Sequence, residues 1–187
     1  SEKGKTRSIT DLYHPSRLDL RVSEIIEETP DVKTIRLVST AGYLPPFQAG
    51  QYINLYGEVR GVRTSRPYSI SSSPRQRAYY DITVARISNG FFSDYLLDSV
   101  RKGDLLQSSA PSGNFYFNPL FHNKNSVFIA GGSGVTPFMS MIKEICVAGL
   151  DRNVTLIYGS RKEDSIIFHD RLSHLAARYS NIKYIPV

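Results

Sequence analysis

The apolar residues of this chain change their period part-way along, and that change demands two different architectures. From Arg17 to about Ala110 they recur at every second position or in short runs between turn residues. RLDLRVSEIIEET, DVKTIRLVS, QYINLYG, RPYSISS, YYDITVARI and DLLQSSA each read as a strand, with YLPPFQAG, SSSPRQR and RKGD as connections. Short strands with no long helices between them can bury an apolar face only by closing or stacking, so this half is an antiparallel barrel or sandwich. One interruption, Gly90 to Leu97, is apolar at helical spacing and predicts a single short helix.

After Pro119 the grammar becomes strand, helix, strand, helix, strand: Val127 to Ala130, Thr136 to Ala148, Val154 to Tyr158, Ile166 to Tyr179 and Ile182 to Val187. That alternation predicts a parallel sheet with right-handed crossovers. The reading therefore divides the chain into an N-terminal extension over 1–16, a barrel domain over 17–118 and an α/β domain over 119–187, the boundary falling between Phe115 and Asn125. A doubly wound sheet normally has about five or six strands. Only three are expected here, so the reading takes the nucleotide half as incomplete, with chain continuing past Val187 or a shortened form.

Composition narrows the function classes. No apolar run approaches the roughly 20 residues of a membrane span, and SEKGKTRS is not a signal peptide, so a cytoplasmic location is expected. Cys146 is the only cysteine, which excludes an internal disulfide and any cluster held by four thiolates; its apolar helical setting reads as a small buried hydrophobe. The net charge of +6 is no nucleic-acid signature. It suits an anionic cofactor or an acidic protein partner, and equally a solvated basic surface with a loose tail at Lys3, Lys5 and Arg7.

Three stretches carry candidate chemistry. In VFIAGGSGVTPF, Gly131 to Gly134 lie at the carboxyl end of the first parallel strand, where amides without a Cβ can approach a pyrophosphate and the following helix points its positive end. Pro137 is tolerated in that helix's first turn; a plain strand-to-helix turn is the competing reading. In Arg66-Pro67-Tyr68-Ser69, a permanent cation for phosphate, a flat aromatic and a hydroxyl share one strand, although three ordinary barrel residues would look the same. Asn89-Gly90-Phe91-Phe92-Ser93 opens the short helix and offers free amides to a second phosphate, or is simply a capped surface helix.

The order RPYS, GFFS, GGSGVTP, YGSR, with FQAGQY, YSISSSP and APSGNF, resembles the ferredoxin–NADP reductase superfamily of flavin oxidoreductases over Arg17 to Val187. The resemblance implies a Greek-key antiparallel β-barrel for the flavin, followed by an α/β nicotinamide-nucleotide domain. By that resemblance Arg66 pairs with a flavin phosphate, with Pro67 beside it; Tyr68 lies against the isoalloxazine and Ser69 bonds near its N5. Val84, Ala85 and Arg86 line the flavin, while Gly90, Phe92 and Ser93 meet its pyrophosphate. Gly132, Gly134, Val135, Thr136 and Pro137 bind the nicotinamide dinucleotide, Thr136 also aligning it with the flavin. Tyr68, Ser69 and Thr136 are thus the candidate catalytic residues.

The reaction implied is hydride transfer from NAD(P)H to the flavin, which asks for orientation rather than acid–base chemistry. His14, His122, His169 and His174 are accordingly left aside. The GFFS helix favours FAD over FMN. At the end of the second parallel strand, Ser160 and Arg161, with Lys162, lean toward the 2′-phosphate of NADP; Glu163 and Asp164 leave NAD open. Such proteins pass electrons to a ferredoxin, an iron–sulfur domain or an oxygenase component. The family's cysteine-and-glycine motif and terminal aromatic are absent from this sequence, so the chain is expected to bind flavin more securely than it turns over nucleotide. An electron-transfer subunit fed by a partner flavoprotein and a non-catalytic flavin- or nucleotide-binding module are the alternatives.

Overall fold

The computed structural model describes residues 15–187, so the expected extension over 1–16, with Lys3, Lys5, Arg7 and His14, lies almost wholly outside the described residues. In chain order the elements are β1 (Leu18–Thr29), β2 (Val32–Ser39), β3 (Tyr52–Val59), β4 (Val62–Ser69), β5 (Tyr80–Ala85), α1 (Phe91–Asp98) and β6 (Leu105–Ser108). They continue with β7 (Asn125–Gly131), α2 (Thr136–Val147), β8 (Asn153–Gly159), α3 (His169–Arg178) and β9 (Ile182–Pro186). The six antiparallel strands run in the order β4-β3-β6-β1-β2-β5, and the parallel sheet in the order β7-β8-β9.

Period-two burial curls the first sheet. Leu18, Leu20 and Val22 on β1, Ile35 and Leu37 on β2, Ile53 and Leu55 on β3, and Ile82 and Val84 on β5 all turn inward. Each such side chain stabilises the fold by about 1.5–3 kcal/mol. Helix α1 closes one end with Phe92, Leu96 and Leu97. Gly57 makes room for it, since a Cβ there would stand 2.4 Å from Phe92 Cε2. The edge strands β4 and β5 meet at one bridge just past the end of β4, Ile70 opposite Ile82, where the Ser71 N–H donates to the Asp81 carbonyl at 2.8 Å. The Greek-key barrel is therefore curled round without a zipped last seam, and most of β4 is a free edge.

Strand β4 begins at Val62, before the Arg66 read from sequence. A two-residue turn, Arg60 (φ 51°) and Gly61 (φ 77°), pairs Val59 with Val62. Positive φ at both turn residues matches the twist of a tight hairpin. The strand was hidden because Val62 to Ser65 lacks an apolar alternation.

In the second half α2 and α3 pack on the parallel sheet around Phe128, Met139, Ile142, Ile145, Leu156, Tyr158 and Leu172. Cys146 joins this core, and burial pushes its thiol up to about 11. Helix α3 starts at His169, three residues later than expected, because Phe168 adopts φ 64° after a 3₁₀ turn over Glu163–Ser165. A left-handed residue cannot propagate a right-handed helix.

The halves meet along a seam with an apolar part, where Val32, Ala49 and Phe117 join the second core, and a polar part. One guanidinium nitrogen of Arg171 on α3 donates to both carboxylate oxygens of Glu28 on β1, at 2.5 and 2.6 Å. Glu28 also accepts from Thr34 Oγ1, which bonds to Thr83 Oγ1 at 2.8 Å and through it to Ser71 Oγ at 3.1 Å.

Candidate functional site

A cleft of about 690 Å³ opens at the carboxyl ends of β7, β8 and β9. Gly131, Gly132 and Ser133 line it after β7, Gly159, Ser160 and Arg161 after β8, and Ala85 with Val32 from the barrel side. A parallel sheet presents its ligand site at this end. A cleft of similar size, about 660 Å³, lies beside Tyr56, Arg63, Ser65 and Gln107, with no glycine loop.

The loop itself is held from behind. Gly132 to Val135 form a 3₁₀ turn, and the Thr136 hydroxyl donates to the Ser133 carbonyl at 2.6 Å. Thr136 and Val135, both expected at the nucleotide, are buried beneath the turn. Tyr158, fully buried on β8, donates its hydroxyl to the Gly132 carbonyl at 2.9 Å and accepts from the Ile167 N–H at 3.2 Å. Burial raises this phenol above its ordinary pKa, so it stays a neutral donor. Tyr158 opens the YGSR motif but has no role assigned from sequence; its alternation with buried Leu156 and Val154 places it on the inward face of β8.

Packing among the described residues does not explain the glycines. A Cβ at Gly131, Gly132 or Gly134 would meet no described heavy atom within 4 Å. Gly132 has φ 50° and so a backbone reason to be glycine; Gly131, at φ −135°, has none. Bare amides exposed at a strand end and followed by a helix with Pro137 in its first turn are suited to an anionic ligand.

Around the rim, Ser160 Oγ bonds to Ser165 Oγ at 2.9 Å, which holds the loop after β8. Arg161 is exposed and makes no ion pair with any described residue. A free guanidinium here can take a second phosphate.

The flavin-motif residues lie elsewhere, on β4. Pro67 pairs with Asn54 across the hairpin, and its missing N–H is tolerated because β4 is an edge strand. Arg66 is exposed and donates to Thr64 Oγ1 at 3.2 Å and to the Ser65 carbonyl at 2.8 Å. Tyr68 packs partly against the barrel core; burial pushes its phenol up to about 12, partly offset by Arg66. The result is a neutral ring on an edge with a cation two residues away. Arg66, Tyr68 and Ile70 share one strand face, with Ser69 on the other.

The third stretch divides. Phe92 and Ser93 are buried, Phe92 stacked on Tyr95, so only the amides at the start of α1 are available to a ligand. The Ser93 hydroxyl turns back to the Gly90 carbonyl at 3.3 Å. Val84 is wholly buried in the barrel, whereas Ala85 reaches the nucleotide cleft. Arg86 binds Asp98 at 2.7 Å, Asp94 at 3.1 Å and Asp31 at 3.5 Å, and its hydrogen bonds hold the Asp98 carboxyl below the usual range. The structure thus brings Ala85, Gly132, Ser160 and Arg161 into one cleft, with Arg66 to Ser69 on the barrel edge and Gly90 to Ser93 at the mouth of α1.

Comparison with known proteins assigns these halves. Residues 19–117 match the oxidoreductase FAD-binding domain, and residues 128–187 the oxidoreductase NAD-binding domain. The chain belongs to this family of FAD- and NAD-binding oxidoreductases. It is 32% identical over 163 residues to a glycine betaine monooxygenase reductase subunit of Pseudomonas aeruginosa, covering 87% of this chain and 44% of that protein. It is 36% identical over 174 residues to the ferredoxin reductase component of a 3-ketosteroid-9-alpha-monooxygenase of Mycolicibacterium smegmatis, covering 87% and 47%. Among solved structures, phthalate dioxygenase reductase superposes with a TM-score of 0.77 at 31% identity, over 90% of this chain and 51% of that one. The chain spans about half the length of the curated relatives it matches.

Proposed function

We propose that the chain is the FAD-containing reductase core of an electron-transfer system, taking electrons from NAD(P)H and passing them to a ferredoxin, an iron–sulfur domain or an oxygenase component. The observation that carries this reading is the glycine loop, where Gly131 and Gly132 border an open cleft and neither Gly131 nor Gly134 is required by packing among the described residues. The named relatives are reductase components of monooxygenases, and one solved neighbour is described as transferring electrons from pyridine nucleotides to [2Fe-2S].

FAD, when bound, supplies the two-electron acceptance and one-electron release that no side chain here can. The chain's own residues bind and orient. Arg66 neutralises a flavin phosphate, Tyr68 offers a neutral face for stacking, and Ser69 gives a directional hydrogen bond from the same strand. The amides at the start of α1 take a pyrophosphate, which favours FAD over FMN. Gly132, Gly134 and Pro137 shape the nucleotide loop, while Val135, Thr136 and Tyr158 fix its position from behind. Unpaired Arg161, beside Ser160, favours NADP over NAD. The working units are 17–118 for flavin and 119–187 for nucleotide. No helix among the described residues is long and apolar enough to cross a membrane, and we place the protein in the cytoplasm.

The absorbance spectrum of the purified protein, chromatography of the released flavin, and anaerobic titration with NADPH and NADH test this reading together. FAD that is tightly bound and slowly reduced, more readily by NADPH than by NADH, is the expected result. A colourless protein that takes up no added FAD would refute it.

A further inference from the structure

One side of α2 grips the chain that follows the flavin motif. Ser140, Lys143 and Glu144 occupy positions i, i+3 and i+4, a single helix face. Ser140 Oγ donates to the Ser72 carbonyl at 2.7 Å, Lys143 Nζ to the Ser71 carbonyl at 2.9 Å, and Glu144 accepts from Arg75 Nε at 2.8 Å. All three partners belong to the SSSPR stretch directly after Ser69 and Ile70. The same helix begins at Thr136, inside the glycine loop.

This stretch is where β4 stops being a free edge. Its far side is tied to β5 by the Ser71 N–H and hydroxyl on the Asp81 carbonyl and by the Asp81 N–H on Ser72 Oγ. The strand end before it is held just ahead of β3, where the Ile70 N–H donates to the Gln51 carbonyl at 3.0 Å, and its near side faces α2. Apolar packing alone is non-directional and would let a helix slide along a barrel, whereas hydrogen bonds to two successive carbonyls fix register and distance. The ammonium is an expensive donor for this purpose. Burial lowers its pKa to about 8, although Asp81 on β5 and Glu28 on β1 oppose that; Arg36 on β2 and Arg171 on α3 add to it. What this costly buried donor supplies here is a directional bond that fixes the Ser71 carbonyl.

We infer that Lys143 and Ser140 are positioning residues, which set the strand end carrying Tyr68 and Ser69 against the nucleotide loop by holding the Ser71 and Ser72 carbonyls to helix α2. The inference rests on the proposed reductase function, because only a reaction between two bound cofactors needs that distance fixed. Small misplacements of reacting groups can lower a rate by up to about 100-fold without removing either binding site.

The test compares the flavin-loaded parent with Lys143→Met and Ser140→Ala; the second removes one hydroxyl and serves if the first fails to fold. Stopped-flow reduction by NADPH and NADH gives a limiting rate and a half-saturating concentration. Hydrogen exchange of peptides spanning Tyr68 to Arg75 reports on the grip directly. The expected result is a limiting rate lower by roughly tenfold or more, with half-saturation within about twofold, full flavin occupancy and faster exchange confined to that stretch. Unchanged rates in both variants would overturn the inference, as would a rate loss matched by lost flavin or weakened nucleotide binding. A parent that neither nucleotide reduces would overturn the functional reading, and the positioning role with it; parent and variants reduced alike would overturn the positioning role alone.

Discussion

Replacing Arg171 by methionine should loosen the seam between the two halves by an amount that the geometry bounds. Glu28 keeps only 5% of its side chain exposed and accepts two bonds from Arg171 and one from Thr34. Removing one partner of a buried ion pair costs about 3–5 kcal/mol. Here the Arg171 side chain is 37% exposed, so water can reach the carboxylate once the guanidinium is gone, which places the loss at about 2–3 kcal/mol. For a chain of this size that corresponds to a drop of roughly 5–10 °C in Tm. The chain has 12 tyrosines and no tryptophan, so urea unfolding followed by tyrosine fluorescence and far-UV circular dichroism is the suitable assay. The double variant Glu28→Gln/Arg171→Met removes the stranded charge while leaving an acceptor for Thr34. It should recover about 1 kcal/mol or more of the single variant's loss. A loss below about 0.5 kcal/mol, or a double variant no better than Arg171→Met, would refute the argument that the buried Glu28 carboxylate depends on its hydrogen-bonded partner Arg171.

Three further outcomes follow from the same geometry. Lys143 has its pKa lowered by burial to about 8 in the folded chain, against 10.5 unfolded, so between those values the unfolded state holds the extra proton and stability rises with pH. From pH 7.5 to 9.5 the parent should gain stability relative to Lys143→Met; denaturant midpoints that run parallel would contradict the shift. Arg66→Gln should weaken flavin binding by about 10–100-fold, read by fluorescence titration of the apoprotein, because a charge-assisted phosphate contact is worth about 1.5–3 kcal/mol. Gly134→Ala should fold as stably as the parent, since its Cβ meets no described heavy atom within 4 Å, yet bind nucleotide more weakly in an equilibrium titration; unimpaired binding would return the glycine to an ordinary turn.

The strands were legible because burial in a curled sheet imposes period two on residues such as Leu18, Leu20 and Val22, and that period needs no knowledge of partners. What sequence could not show was anything decided by a neighbour far along the chain. The start of β4 is set by pairing with β3, not by its own polar residues. The start of α3 is set by a left-handed Phe168, whose side chain carries no such preference. At the site, the glycines and the RPYS stretch could be read as ligand chemistry, but Phe92, Ser93 and Val84 turned out to face the core. Alternation gives a residue's face, and only packing decides which face is inside. Lys143 and Ser140 had no local signal, because their partners lie 72 and 68 residues earlier.

The glycine loop shows how the two kinds of information combine. Sequence leaves a turn and a nucleotide site both open for GGSG, since each asks for small residues between a strand and a helix. A turn glycine has a reason inside the molecule, either a positive φ or a neighbour that a Cβ would strike. Gly57 and Gly50 have such reasons, the one against Phe92 and the other at φ 109° with a Cβ position 2.5 Å from the Phe115 carbonyl. Gly132 has the first kind of reason; Gly131 and Gly134 have neither. Helix propensity alone would favour a residue with a side chain at Gly134, at the entrance to α2, so its smallness fits the proposed approach of a ligand to the backbone from outside the fold, which Gly134→Ala tests.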